Sequence, residues 1–174
     1  MKTVRMFPHA AEVIRKLSQK YNLVIISATD EDIIKDYLAR PELNTNSRPL
    51  YDCFKYVFGK REHDFNWQNI DRKSQLIHKI TSIIGVPVER MVYVGDNNGD
   101  FVASRRINID FIEARLFERE VKISIGKESL IFENSDYLDD LSKLPFFSSW
   151  KDFCNVLSKV EQKKQKDRQK NYGF

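Results

Sequence analysis

At 174 residues, with 41% hydrophobic and 31% charged side chains, the chain has the length and composition of one soluble globular domain. No stretch reaches the roughly 18 consecutive apolar residues that a membrane-spanning helix needs. The N-terminal residues lack the apolar core and the small-residue cleavage site of a secretory signal. Neither Cys53 nor Cys154 has the spacing of a metal or redox motif. These features predict a cytoplasmic protein with no membrane partner.

The net charge of +4 is concentrated at the C-terminal end. Residues 159–174 carry as much net charge as the whole chain, because their basic side chains outnumber the acidic ones. The basic residues are Lys159, Lys163, Lys164, Lys166, Arg168 and Lys170. The remaining body is neutral and lacks the basic face typical of a nucleic-acid-binding domain. Since a lysine-rich terminal run is most often a solvated helix end, a nucleic acid ranks last among the expected partners.

The first part of the chain alternates between helical and strand patterns. Apolar residues at helical spacing predict a helix over 8–20, and the apolar, β-branched run at 23–27 predicts a short strand buried on both faces. A second helix is predicted over 30–39. A proline-punctuated loop over 41–49 then leads to a second strand over 54–59.

The second part of the chain continues the alternation. An amphipathic helix is predicted over 72–84, where Gly85 and Pro87 stop it. The further predicted elements are, in chain order, a buried strand at 91–94, a short helix at 100–106, a strand at 109–114, an ambiguous stretch at 115–128, a short strand at 129–133, a helix at 135–143 and a final helix from about 148. This order predicts an α/β fold with a mainly parallel sheet and flanking helices.

Polar residues follow three of the predicted strands. Ser27, with Ala28 and Thr29 after it, ends the first strand, Lys60 follows the second, and Asp96 follows the third. In open parallel sheets, ligands bind beyond the carboxyl ends of the strands. The sequence therefore predicts a site at that end of the sheet.

The segment VYVGDNNGD carries the strongest local signal. Asp96 and Asp100 are separated by about one helical turn, so both carboxylates can face one point. Two carboxylates without a neighbouring thiolate or imidazole suit a hard cation such as Mg²⁺. In isolation, a turn residue and a helix N-cap explain the same pattern about equally well. After a buried strand in an α/β chain, the metal interpretation is the stronger one.

Two further side chains are candidates for binding a phosphate. The Ser27 hydroxyl and the backbone around Ala28 can donate to a phosphate oxygen, and the helix that follows would add its N-terminal dipole. Lys73 stands at the start of the helix over 72–84, where a cation is unfavourable unless something nearby compensates it. Capping by Ser27 and a solvated Lys73 are the ordinary explanations, and Lys60 competes with Lys73 for the same role.

Taken together, these pieces resemble the haloacid dehalogenase (HAD) superfamily of magnesium-dependent phosphatases. LVIIS at 23–27 is similar to its second motif, which contacts the transferred phosphoryl group, and Lys73 to its third, a catalytic lysine. VYVGDNNGD is similar to the fourth, acidic motif, which binds Mg²⁺. The following stretch also resembles the family, with Asn108 where a glycine is usual. The resemblance covers roughly residues 7–143.

The sequence departs from the family at the first motif. There, a strand ending in D-x-D supplies the nucleophilic aspartate and an aspartate that acts as general acid/base, and no such strand is recognisable in this sequence. The D-E-D at 30–32 follows a strand that already ends in Ser27, so we interpret those acids as helix N-terminal residues. The expected fold therefore misses the usual first strand. N-terminal shortening, natural degeneracy and a strand from a partner chain remain as alternatives, and residues 3–7 are a candidate substitute strand.

The resemblance implies a HAD-like domain over 1–147, followed by a C-terminal helix and basic tail over 148–174. Residues 40–72 are too few for a folded cap domain, so no cap is expected. The implied function is hydrolysis of a phosphomonoester of unknown identity with Mg²⁺ as cofactor. The alternative is a non-catalytic module that binds phosphate, metal or a partner.

Overall fold

The computed structural model describes residues 6–43, 48–60, 70–116 and 144–172. The helices are α1 (Ala10–Ser18), α2 (Glu31–Leu38), α3 (Ile70–Ile84), α4 (Asn98–Arg106) and α5 (Trp150–Tyr172). The strands are β1 (Leu23–Asp30), β2 (Phe54–Lys60), β3 (Val92–Gly95), β4 (Asp110–Ala114) and β5 (Phe146–Phe147). Short 3-10 helices span Pro41–Leu43, Leu50–Cys53 and Val88–Arg90. The strand predicted at 129–133 and the helix predicted at 135–143 lie outside the described residues.

The chain divides into two compact units, Met1–Arg72 and Lys73–Phe174. In the first unit, β1 and β2 pair in parallel with Val24 opposite Tyr56 and Ile26 opposite Phe58. Both strands consist largely of β-branched and aromatic residues, which suit a pleated surface. Leu38, Leu50 and Cys53 form a buried cluster against which Met6 and the neighbouring apolar residues pack.

The end of β1 differs from the prediction. The strand continues to Asp30 and does not stop at Ser27. Its register shifts between Ile26 and Asp30, so that Asp30 lies opposite Lys60. Extra residues on one strand of a pair form a bulge, and an apolar pattern cannot predict it because the bulged residues are polar.

The burial of β1 also corrects the prediction. Its residues Leu23 to Ser27 are half-buried, whereas the apolar run indicated a strand covered on both faces. Among the strands that the structure describes, β1 pairs only with β2. One edge of the strand and part of its surface are therefore uncovered within the described part of the chain.

The second unit contains a parallel sheet in the order β3-β4-β5. Val92 lies opposite Asp110 and Gly95 opposite Glu113. Its core contains apolar residues of α4 and β4, together with Phe147 of β5, whose ring meets that of Phe153 edge to face at 4.8 Å. Strand β5 was not predicted, because two residues are too few to show a period.

These pairings confirm the predicted α/β class with parallel strands and flanking helices. Strand β1 belongs to the sheet of the first unit and β3 to the sheet of the second. Met6 and Phe7, the described end of the suggested substitute strand, are not in a strand. The boundary predicted at 147/148 stays a prediction, although α5 packs on β5 within the second unit. Within the described ranges, no helix has the length and apolar character to cross a bilayer.

Candidate functional site

The candidate site begins where β3 passes into α4. The strand ends at Gly95, and the Asn97 side chain caps the helix by accepting a hydrogen bond from the Asp100 N–H at 2.9 Å. An asparagine at this position satisfies one of the amides left open in the first helical turn. The cap places Asp100 in that first turn, so its side chain points back towards the end of the strand.

Asp100 is buried, with 6% of its surface exposed. Its Oδ1 accepts hydrogen bonds from the Lys73 ammonium and, at 3.1 Å, from the Tyr93 hydroxyl. Its Oδ2 accepts a longer bond of 3.4 Å from the Asp96 N–H. A buried carboxylate is costly unless it is paired and hydrogen-bonded, and here both of its oxygens have donors.

Gly95 makes room for this carboxylate. A Cβ at position 95 would lie 2.5 Å from the Asp100 Cβ and 2.7 Å from its Oδ2. Such distances are too short for any side chain, so only glycine allows Asp100 to approach the strand so closely. The sequence indicated a glycine needed for a sharp turn, and the structure shows a glycine needed for close approach.

Lys73 lies in the first turns of α3, and its side chain is 17% exposed. Its ion pair with Asp100 is the compensating interaction that its position in the helix called for. The competing Lys60 is exposed at the end of β2, in the other compact unit. Within the second unit, the structure brings Lys73 to the acidic motif.

Tyr93 is a site residue that the sequence analysis missed. Burial raises the pKa of its hydroxyl above the ordinary tyrosine value, and the nearby carboxylate of Asp100 raises this pKa further. The protonated hydroxyl is therefore a fixed donor to Asp100. The available signal was its place two residues before Gly95, which puts both residues on one face of β3.

Asp96 is the exposed carboxylate of the pair, and its Oδ1 accepts a bond of 3.2 Å from the Asn97 side-chain amide. The described residues contain no cluster of three His, Cys, Asp or Glu side chains that would enclose a metal ion. Mg²⁺ needs no such cluster, because it is often held by one or two carboxylates, water and substrate phosphate. Asp96 fits that manner of binding, whereas Asp100 is already engaged by Lys73 and Tyr93.

Ser27 and Ala28 lie near the end of β1, in the first compact unit. The Ser27 Oγ accepts a bond of 3.1 Å from the Thr29 N–H, which leaves its own O–H to donate. Helix α2 starts at Glu31 and carries Glu31 and Asp32 in its first turn. These acids already complement the helix dipole, so the N-terminus of α2 is a poor site for a phosphate.

The sequence matches the model of the haloacid dehalogenase-like hydrolase family over residues 1–114. The chain therefore belongs to this family of hydrolases. Among proteins of curated description, none is significantly similar in sequence.

Solved structures of HAD-like proteins share the fold. A predicted phosphoglycolate phosphatase from Haemophilus somnus superposes with a TM-score of 0.60 at 13% identity, covering 88% of this chain and 57% of its own. A protein assigned as a phosphoglycolate phosphatase from Lactobacillus delbrueckii gives 0.56 at 18%, covering 84% and 51%. A haloacid dehalogenase-like hydrolase from Streptococcus pneumoniae gives 0.50 at 19%, covering 63% and 46%. The chain thus spans about half the length of these structures.

Proposed function

We propose that this chain carries the metal-binding and charge-neutralising part of a Mg²⁺-dependent phosphomonoester hydrolase. The observation that carries the proposal is the arrangement at the end of β3, where a buried Asp100 holds Lys73 and the neighbouring Asp96 is exposed. Membership of a hydrolase family supports it. The substrate is a phosphomonoester whose organic part is not specified by these residues.

Each residue has a distinct role in this proposal. The Lys73 ammonium neutralises negative charge on the phosphoryl group, and Asp100 orients that ammonium through their ion pair. The Asp96 carboxylate holds Mg²⁺, which when bound neutralises phosphate charge. In the first unit, the Ser27 hydroxyl and the Ala28 amide donate to a phosphate oxygen without help from the α2 dipole, which Glu31 and Asp32 already offset.

The nucleophile is not provided by the described residues in any form that the family uses. Asp30 is the last residue of β1 and the N-cap of α2, and Asp32 lies in the first turn of the helix, so both remain helix N-terminal acids. Covalent phosphoryl transfer needs an activated nucleophile. We therefore propose that an aspartate outside this sequence, or from a partner chain that adds a strand, completes the enzyme.

A non-catalytic module that binds phosphate or metal is the second candidate. It is favoured by the lack of a recognisable D-x-D strand in the sequence and by the occupied carboxylate of Asp100. The two candidates share the Asp96 and Lys73 site and differ only in turnover.

Binding and turnover are measured separately on the 174-residue chain. We expect Mg²⁺ to shift the backbone NMR signals of residues 95–101 with roughly millimolar affinity, the range of weakly liganded oxygen sites. Inorganic phosphate added with Mg²⁺ is expected to shift the Lys73 signals as well. Asp96→Asn should abolish both responses, whereas Asp152→Asn, which removes an exposed carboxylate from α5, should keep them.

With p-nitrophenyl phosphate and Mg²⁺, we expect no turnover by this chain. Turnover that disappears in Asp96→Asn would show that the chain already contains its nucleophile. If residues 95–101 do not respond to Mg²⁺ at all, the proposed metal site is wrong.

A further inference from the structure

Helix α5 sorts its basic residues onto two opposite faces. At about 100° per residue, Lys164 and Arg168 lie on the side of the helix that carries Phe153 and Leu157. The other four basic residues of the terminal run lie on the opposite side. Net charge alone cannot predict this division, because the division depends on the helix continuing to Tyr172.

The inner face fixes the helix to the sheet of its own unit. Phe153 and Leu157 are buried. The Lys164 ammonium donates to the backbone oxygens of Glu89 and Met91, each at 2.9 Å, and pairs with the Asp110 carboxylate at 2.6 Å. The last turns of α5 are therefore held in place as an ordered helix.

Arg168 extends this attachment by a further turn. Its guanidinium donates to the Glu89 oxygen at 3.1 Å. Lys164 and Arg168 are thus bound to the rest of the second unit. Their contacts fix the orientation of the opposite face of the helix.

The outer face presents a row of lysines at a spacing of four, three and four residues. The members of this lysine row are Lys159, Lys163, Lys166 and Lys170. They fall within an arc of about 60° and extend over about 16 Å. All four are exposed, and in the part of the chain that the structure describes they form no hydrogen bond or ion pair. The acids of this segment, Glu161 and Asp167, lie outside the arc.

We propose that the lysine row binds the phosphate backbone of a nucleic acid without reading its sequence. Ammonium groups repeating at about 5 Å along a rigid line match a polyanion with regularly repeating phosphates. Lysine contacts phosphates as a point charge, and such contacts position a protein without specifying bases. This proposal departs from the ranking expected from the sequence, which placed a nucleic acid last.

The composition of the row argues against a membrane surface as partner. Helices that lie in a bilayer interface insert an apolar face beside their lysines. Between residues 159 and 170, Val160 is the only apolar residue, and Phe153 and Leu157 earlier in the helix are buried. Val160 alone is too small an apolar surface for insertion.

The number of lysines sets the expected salt dependence. Four phosphate contacts give a slope of about −3.6 in a plot of log K against log salt for duplex DNA. This slope corresponds to a loss of roughly 150-fold in affinity between about 50 mM and about 200 mM salt. At physiological salt, we expect a dissociation constant of roughly 10⁻⁴ to 10⁻⁶ M, the range of non-specific binding, and tighter binding at low salt.

The test uses the full chain and fluorescence anisotropy with labelled DNA duplexes of about 20 base pairs in two unrelated sequences. The variant K159Q/K163Q/K166Q/K170Q should bring the salt slope near zero and weaken binding at low salt at least tenfold. The matched control K16Q/K55Q/K79Q/K151Q removes the same charge from exposed lysines elsewhere and should keep the steep slope. Circular dichroism should show both variants folded, because none of these eight lysine side chains forms a hydrogen bond or ion pair with the described residues.

Three outcomes would overturn the proposal. In the first, the two quadruple variants lose affinity equally, so that only net charge matters. In the second, neither duplex binds at low salt. In the third, phosphatidylserine vesicles bind through the lysine row and DNA does not, which would assign the row to a membrane surface.

Discussion

Asp100 connects the residues at the end of β3, because its two oxygens receive donors from three different positions of the chain. Lys73 supplies an ammonium, Tyr93 a hydroxyl and Asp96 a backbone amide. A carboxylate that is buried in this way depends on its donors, since an unpaired buried charge costs several kcal/mol. The site is therefore sensitive to the loss of the Tyr93 hydroxyl proton.

Tyr93 gives the site a dependence on alkaline pH. Burial and Asp100 raise the pKa of Tyr93 in the folded chain, so above about pH 10 the unfolded chain loses this proton before the folded chain does. Fewer protons on the unfolded state mean that the free energy of unfolding falls as pH rises. Between neutral pH and pH 11, the free energy of unfolding of the wild type should fall by about 1.4 kcal/mol more than that of Tyr93→Phe.

Urea unfolding of both proteins at pH 8, 10 and 11 measures this difference. Tyr56→Phe, which also removes one phenol, shows what the loss of any tyrosine contributes. Equal pH profiles for the wild type and Tyr93→Phe would mean that Tyr93 is not held as a buried donor.

Sequence spacing identified some of the candidate residues and could not identify others. The separation of Asp96 and Asp100 indicated that their carboxylates face one point, whereas the contact that the structure shows joins the Asp96 backbone amide to the Asp100 carboxylate. It could not show that Asp100 is buried, because the burying contact comes from Lys73, 27 residues away. Asn108, noted where the family has glycine, has a φ of 57°, a left-handed conformation that asparagine tolerates better than most residues.

At the scale of elements, the local sequence pattern predicted most helices and strands. It failed where packing sets the end of an element or where a strand is too short to show a period. Helices α3 and α4 start two residues earlier than predicted, since cap geometry sets a helix start more closely than apolar spacing does. Strand β1 ends later than predicted, because its bulge continues the strand past Ser27. The length of α5 was foreseen, but the way in which its basic residues are divided between two faces was not.

Lys164 binds α5 to the segment just before β3 and to Asp110 at the start of β4. Lys164→Met keeps a long side chain and removes the donor from the Glu89 and Met91 oxygens and from Asp110. These acceptors are exposed or partly buried, so water can replace much of what is lost, and burial also lowers the pKa of Lys164, so part of the interaction is offset by desolvation. We expect the free energy of unfolding to fall by about 0.5–1.5 kcal/mol, the net contribution of an ordinary hydrogen bond.

The matched control is Lys163→Met, one residue away on the outer face, where a surface substitution is expected to change stability by about 0.5 kcal/mol or less. Urea unfolding monitored by circular dichroism compares the two variants. A loss of the same size in both would show that the ammonium of Lys164 contributes no specific attachment.

At the scale of the whole molecule, the described strands form two separate parallel sheets, each with a strand whose outer edge has no described partner. Val94 in β3 is 38% exposed, and the apolar residues of β1 are only half-buried. Central strands of parallel sheets are ordinarily covered on both faces. The apolar runs predicted strands covered on both faces, and within the described residues that burial is incomplete.

Incomplete pairing has a direct signature in hydrogen exchange, because successive amides of a strand point to opposite edges. In β3, the amides directed at β4 should be protected and the alternate ones should exchange at least about tenfold faster, the factor given by 1.4 kcal/mol of opening free energy. The same alternation is expected in β1. We expect it at low protein concentration, measured by NMR on the full chain.

Raising the protein concentration tests whether a second copy supplies the partner strand. Protection of the alternate amides that grows with concentration, together with a larger mass in light scattering, would identify such a strand. Uniformly slow exchange along β3 at every concentration would contradict the prediction, because it requires that the outer edge is already paired within one chain. Alternation that persists at all concentrations would show that the outer edges of β1 and β3 stay unpaired in this chain, as either N-terminal shortening or natural degeneracy would leave them.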